Sequence, residues 1–339
     1  MYALEDAFRQ AWVDGHLGVV RRVIAEYRYY PPDANLYAER AFRQACSEGR
    51  VGLLRELLTL KGVHRVDVHF SDEFGCRIAC KRGHLDVVRE LLALTGDRTI
   101  NVHVFGEHMF LQACRHGHLG VVRELLALQG SRRVNVHAWR EQAFVAACEH
   151  GHLHVVTELL QLDGDRLIDV HADNEAGFRY ACVNGHAVVV RALLDLASCS
   201  HNDVHANDGE PFQHACRNGH SAGAMQELLA KEGARVVDVH VDNDFAFRQA
   251  CKRKHKGVLQ QLLILRGQQA PRLSLQRKFL KACTAAAVQW TENAHTWRAC
   301  GICTDVLHPK LERCIKKRAE RMAWRHKKHL LFARAQVLP

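Results

Sequence analysis

One motif, Phe-x-x-Ala-Cys-x-x-Gly-His, returns at regular intervals along this chain and limits what the chain can fold into. Its cysteine column, Cys46, Cys80, Cys114, Cys148, Cys182 and Cys216, advances in equal steps of 34. Trp12 stands one such step before the first, Cys251 follows the last after 35, and Cys283 comes 32 later. A period between about 20 and 50 residues marks a stack of similar units, each covering its apolar face only against its neighbours. Such a stack offers an extended surface for recognition and no closed pocket for chemistry.

The repeat also decides how the bulk properties read. A chain of 339 residues with 47% hydrophobic content is long enough for two or three conventional domains, but the period replaces that count. No apolar run approaches the ~18 residues of a membrane span, and the opening MYALEDAFRQAW is acidic and already fits the repeat through Phe8, Ala11, Gly15 and His16. Neither a signal peptide nor a transmembrane segment is read, and the expected location is cytoplasmic, with the nucleus as the alternative. Thirteen cysteines are an odd number, and most fall at one repeat position. Equivalent positions on stacked helices lie about 8–10 Å apart, beyond the ~7 Å Cα separation a disulfide tolerates. The cysteines are expected to be reduced, small and buried.

Residues 71–104 illustrate one unit. Ser71, Asp72 and Glu73 read as the N-terminal cap of a first helix. Ala79 and Cys80 give that helix a small-residue face, and Gly83 ends it in a left-handed turn. A second helix begins near His84, with Leu85, Val87, Val88, Leu91 and Leu92 as its buried stripe. Thr95 to Arg98 break it, and Ile100 and Val102 then alternate with polar residues in a short extended finger.

The run Ala-Cys-x-x-Gly-His-Leu-x-Val-Val-x-x-Leu-Leu, followed by Asn101-Val102-His103, resembles the ankyrin repeat over about residues 2–272. The variant is similar to repeats of giant DNA viruses and some protists, with Phe/Leu-Arg in place of the usual Leu-His; Glu210-Pro211-Phe212 alone keeps the family's proline. The resemblance implies an all-α solenoid: an N-terminal capping repeat at 1–40, repeats over 41–272 and a basic cap or tail at 273–339. It further implies that protein partners meet the concave first-helix face and the finger tips. Transferred to this sequence, those positions are Lys81, Arg82, Arg115, His116, Glu149, His150, Arg217, Asn218, Lys252 and Arg253 on first helices, and Phe105, Trp139 and Arg140 at the tips, with Tyr180 a further exposed aromatic. No cofactor is implied. Two repeats depart from the pattern: GHSAGAMQELL is one residue longer than its equivalents, predicting a loosened start near Gly223, and Lys254-His255 replaces Gly-His.

Histidine occurs 24 times, and two repeat positions absorb 13 of them, one after the glycine and one after the finger valine. Rings held one per repeat do not converge as metal ligands must, so they are read as structural rings bonded to backbone. Gly219-His220-Ser221-Ala222-Gly223 matches a nucleophile elbow in letters but lacks the preceding strand. Cys300, Cys303, His308 and Cys314 approach a zinc-knuckle spacing and miss it by one residue, and they are read as helix packing.

Charge is placed unevenly. Residues 271–339 carry 15 Lys/Arg against 4 Asp/Glu, whereas residues 1–270 are close to neutral. Residues 309–335 form a basic amphipathic helix on this reading, with Lys316, Lys317, Arg318, Arg321, Arg325, Lys327 and Lys328 placed to meet RNA phosphates or another anionic surface. The sequence therefore points to a non-enzymatic protein-binding scaffold or adaptor. The alternative is a nucleic-acid-associated or ribonucleoprotein component that uses this tail and the basic first-helix stripe.

Overall fold

The computed structural model describes residues 34–61, 65–196, 202–220, 223–230, 237–253 and 255–265, with residues 10, 11, 14–16, 18 and 19 before them. The described residues are helical and contain no strand. The chain divides into two compact units, Met1–Ala181 and Cys182–Pro339. The fold is an all-α solenoid of paired helices.

In the first unit, the first helices are Ala34–Glu48, Phe70–Arg82, His108–Arg115 and Ala138–Glu149. The second helices are Val51–Leu58, Leu85–Leu92, Leu119–Leu126 and Leu153–Leu160. Each first helix packs on the next first helix and on its own second helix, and the second helices form a parallel row behind them. Small side chains permit the close approach: Ala45, Cys46, Ala79, Cys80, Ala113, Cys114, Ala147 and Cys148 are all fully buried. The second helices contribute Val87, Val88 and Leu91 in one repeat and Val121, Val122 and Leu125 in the next, also covered. The second unit repeats the scheme with Ala187–Leu194, Asn202–Asn218, Ala224–Leu229, Val241–Arg253 and Lys256–Ile264.

The finger departs from a simple extended strip. The second helix is followed by a single turn of tight 3-10 helix, Gly96–Arg98, Gly130–Arg132 or Gly164–Arg166. Ile100 and Val102, like Val134 and Val136, are then buried between exposed Asn101, Asn135 and their neighbours, as the alternation predicts. A second departure concerns Ser71, Asp72 and Glu73. They do not cap a helix through their side chains: all three have left-handed backbone angles, and the right-handed helix starts only after them.

The Gly-His turn is the other fixed point of each repeat. Gly83 and Gly117 close their first helices at φ +76° and +75°, a conformation that costs any L-residue about 1 kcal/mol or more. The following histidine reaches back one repeat: the Nε2–H of His118 donates to the carbonyl of Lys81 at 2.9 Å, and that of His152 to Arg115 at 2.9 Å. His84, His220 and His255 make the same bond to Ser47, Val183 and Arg217. In doing so the ring lies flat against the neighbour's glycine, with His152 Nδ1 only 2.5 Å from where a Cβ on Gly117 would sit.

In the longer repeat, Gly223 takes an irregular conformation, neither helical nor extended, and the second helix is shortened to Ala224–Leu229, the loosened start that the insertion predicts. Lys254 lies outside the described residues, but His255 keeps its bond to the preceding repeat.

Two glycines with similar φ separate the two demands. Gly130 has φ +62° and open space around its Cβ position, whereas Gly117 meets the His152 ring. Gly130→Ala is expected to cost about 1 kcal/mol from backbone conformation alone. Gly117→Ala is expected to cost about 1–3 kcal/mol more through the displaced ring. Urea midpoints of the two variants check this, and equal midpoints would show that the ring contact carries no weight.

Candidate functional site

The finger tips are built around a repeated buried ion pair. In Ser71-Asp72-Glu73, Phe105-Gly106-Glu107, Trp139-Arg140-Glu141 and Asp173-Asn174-Glu175 every residue has φ between +51° and +62°, except Glu107 at +68°. The third member of each is a buried carboxylate, which meets the Nδ1–H of a histidine four residues earlier. The distances are 2.7 Å for His69–Glu73, 2.6 Å for His103–Glu107, 2.7 Å for His137–Glu141 and 2.8 Å for His171–Glu175. His240 and Asp244 make the same pair at 2.5 Å.

The opposite ring nitrogen reaches the next finger. His69 Nε2 bonds the carbonyl of Asp97, His103 that of Ser131 and His137 that of Asp165, each at 2.8 Å. A carboxylate and a carbonyl both only accept, so a ring that bonds both must carry two protons. These histidines are therefore imidazolium ions. The surroundings favour the charged ring: His69, His103 and His137 are each held above the ordinary histidine value, first by the hydrogen bond to the acid and then by the bond to backbone. Glu73 also accepts from the backbone N–H of Asn101 at 3.0 Å, tying one finger to the next.

Cationic side chains complete the joints. Arg98, Arg132 and Arg166 donate through Nη1 to the carbonyls of Leu58, Leu92 and Leu126 at 3.0, 3.0 and 3.1 Å. Each thereby satisfies an orphan carbonyl at the end of the preceding second helix. Burial pushes the Arg98 and Arg166 guanidinium groups below the ordinary arginine value. On the second-helix face, Arg55–Glu90, Arg89–Glu124 and Arg123–Glu158 form an ion-pair ladder at 2.6, 2.6 and 2.8 Å. The arginines of these pairs stand in solvent, so the ladder adds little to stability.

The face formed by first helices and finger turns is organised differently. Trp139 is 71% exposed and Phe105 58%, at equivalent positions of adjacent fingers. The Trp139 indole N–H donates to the carbonyl of Gly106 at 3.1 Å, so the ring is fixed against the neighbouring turn while its body stays in solvent. It roofs a small recess lined by Glu107, Phe110, Asn135 and Val136. The Phe105 ring carries the Arg77 guanidinium at 4.9 Å from its centroid, and Tyr180 is 39% exposed beside Arg179.

Lys81, Arg82 and Arg115 occupy the last turns of their first helices and His116 the next position, where a cation also offsets the helix dipole. Arg217, Lys252 and Arg253 sit likewise at helix ends in the second unit. The Arg140 guanidinium reaches Asp173 at 3.4 Å. Lys316, Lys317, Arg318, Arg321, Arg325, Lys327 and Lys328, Ser221, and the Cys300, Cys303, His308 and Cys314 group lie outside the described residues.

Sequence reasoning placed both histidine columns on structural duty but missed their partners. The signal was present: an acid follows five of the six finger histidines by four residues, at 73, 107, 141, 175 and 244, with Gly209 in that place after His205. The joint arginines likewise recur at 98, 132 and 166. Among the described residues no three His, Cys, Asp or Glu side chains are grouped to hold a metal ion. No helix among them is long and apolar enough to cross a membrane. Cys46, Cys80, Cys114, Cys148, Cys182 and Cys216 are unbridged, and each thiol is raised well above its ordinary value, Cys80 by its hydrogen bond with Cys76 and then by burial, the others by burial first.

Comparison with protein families gives a match to the model described as Ankyrin repeats (3 copies), over residues 76–173 and 110–203. No curated protein matches the chain.

Two outcomes follow from these surroundings. A histidine whose folded pKa is raised stabilises fully below its unfolded value of about 6.5, and that contribution drains away as pH climbs through the folded value. Wild-type stability relative to Glu107→Gln should thus be greatest below about pH 6.5 and shrink as pH rises above it, as read by urea midpoints; a gap that is flat with pH would contradict the imidazolium assignment. The column cysteines should resist iodoacetamide in the folded protein and react on unfolding, which mass spectrometry of the alkylated peptides checks.

Proposed function

Residues 76–203 of this chain match ankyrin repeats, and from that premise we propose that it is a non-enzymatic scaffold or adaptor that binds protein partners across its first helices and finger turns. The observation that carries this reading is the Trp139–Phe105 pair. These are the most exposed aromatic side chains among the described residues, and they stand in solvent on successive fingers, each fixed in place. A rigid, exposed aromatic loses little freedom when it binds, and tryptophan and arginine are the side chains that most often anchor interfaces. Arg140 beside the indole and Lys81, Arg82, Arg115 and His116 along the helix ends supply a polar rim of the kind interfaces use.

Ankyrin repeats serve generally as protein-interaction modules, and the non-enzymatic part of the proposal rests on that. The cysteine column, buried and unbridged, suits a cytoplasmic or nuclear setting. A second reading draws on the basic residues 271–339, whose charge suits RNA phosphate. The two separate by salt and by deletion, since phosphate binding falls steeply with salt and would be lost with residues 309–339.

The test is an affinity capture with full-length protein, the Trp139→Ala variant and a chain lacking residues 309–339, with and without nuclease. A captured protein should survive nuclease and tail removal. Trp139→Ala should weaken it by about 2 kcal/mol, roughly 30-fold, while unchanged thermal melting shows the array intact. Capture that needs the tail and is lost to nuclease would instead establish the RNA reading.

A further inference from the structure

The two faces of the repeat array treat their cations in opposite ways. Arg55, Arg89 and Arg123 on the second-helix face each have a glutamate of the next repeat within 2.8 Å. Arg77, Lys81, Arg82 and Arg115 on the first-helix face have no carboxylate within 4.0 Å among the described residues. The bonds they do make are to neutral groups. Arg77 donates through Nε to the carbonyl of Asp72 at 2.7 Å and through Nη2 to that of Ser71 at 2.9 Å, and Arg82 donates to the carbonyl of Ser47 at 2.8 Å. The Nε–H of Arg115 is buried and has no acceptor at all.

These charges converge. His108 lies among them and is pushed below the ordinary histidine value, by partial burial first and then by Arg77, Arg115 and Lys81. Three cations that all act on one ring, with no acid offsetting them there, form a local positive field. It is also pre-organised: guanidinium groups already held by backbone carbonyls give up little freedom when an anion arrives.

We propose that this first-helix face of residues 77–115 binds an acidic peptide segment, laid in extended form across successive repeats with its carboxylates on Arg77, Lys81, Arg82 and Arg115. This rests on the protein-binding reading above and names the chemistry of the partner. Lys81 and Arg115 are equivalent positions of adjacent repeats, so they are separated by the spacing of packed helices, about 8–10 Å. Three residues of extended chain span about 10 Å. An acid at every third position therefore meets successive repeats in register.

The same features argue against RNA on this face. The cluster is short, and the next equivalent position after Lys81 and Arg115 is Glu149, whereas single-stranded nucleic acid is held by a longer basic track with aromatic faces free for stacking. One face of Phe105 is occupied by the Arg77 guanidinium.

The experiment is fluorescence anisotropy on the full chain with three labelled probes: a roughly 12-residue peptide with glutamate at every third position, its glutamine counterpart, and an oligouridylate of similar length. Variants are Lys81→Glu with Arg82→Glu, the milder Lys81→Gln, and Arg89→Gln on the opposite face as control. The glutamate peptide should bind saturably, the glutamine peptide at least about ten-fold more weakly. The double reversal should lose about ten-fold or more, Lys81→Gln less, and Arg89→Gln nothing. Thermal melting of each variant, and the graded loss in Lys81→Gln, separate loss of binding from loss of fold.

Four results overturn the proposal: no binding of the glutamate peptide, equal binding of the glutamine peptide, affinity unmoved by the double reversal, which would locate binding in the basic tail, or oligouridylate bound and lost with the same variant. None of these touches the capture experiment on Trp139. A partner captured there and lost with Trp139→Ala leaves the scaffold reading standing with a different partner chemistry.

Discussion

Each repeat of this protein is held by hydrogen bonds that its side chains make to the backbone of its neighbour. His84, His118 and His152, each following a helix-ending glycine, bond a carbonyl of the previous repeat. The finger histidine bonds a carbonyl of the following finger, and the arginine of the tight turn bonds the end of the previous second helix. A repeat taken alone would leave all three donors, and the carbonyls they meet, without partners. Unpaired polar groups in a buried joint are costly, so the polar joints reinforce what apolar burial demands: the unit is stable only in a stack.

The finger turn shows how one strained element is kept. Three successive residues in the left-handed region are unfavourable for L-amino acids, and here they are surrounded by compensating contacts. The buried carboxylate at the third position takes the imidazolium of the histidine four residues before it, and in Glu73 also a backbone N–H of the next finger. Arg77 closes the turn from the other side by bonding the carbonyls of its first two residues, as Arg248 does with Asp242. The strain projects the first residue of the turn outward, and that position holds Phe105 and Trp139. The exposed aromatics thus follow from the same geometry that locks neighbouring fingers together.

The two faces divide the work of the charged side chains. Ion pairs along the second-helix face neutralise it and leave little field for a partner. The first-helix face of residues 77–115 keeps cations with no carboxylate beside them, next to the fixed Phe105 ring.

The architecture was legible in the sequence because a strict repeat period and an apolar stripe of helical spacing leave few alternatives. Gly83, Cys80 and the Val87–Leu92 stripe stand where the pattern puts them. Lys81, Arg82, Phe105 and Trp139 were likewise named as surface positions, from the resemblance to the ankyrin repeat. What the period could not give was the pairing between repeats. Ser71, Asp72 and Glu73 looked like a helix cap, since nothing local to those letters distinguishes a capping carboxylate from one that meets a histidine and the next finger. Nor does a column of arginines reveal which are ion-paired and which are left open. Local propensity and periodicity are properties of the chain within one repeat; a left-handed turn, a doubly protonated ring and an unpaired guanidinium arise only when repeats are brought into register.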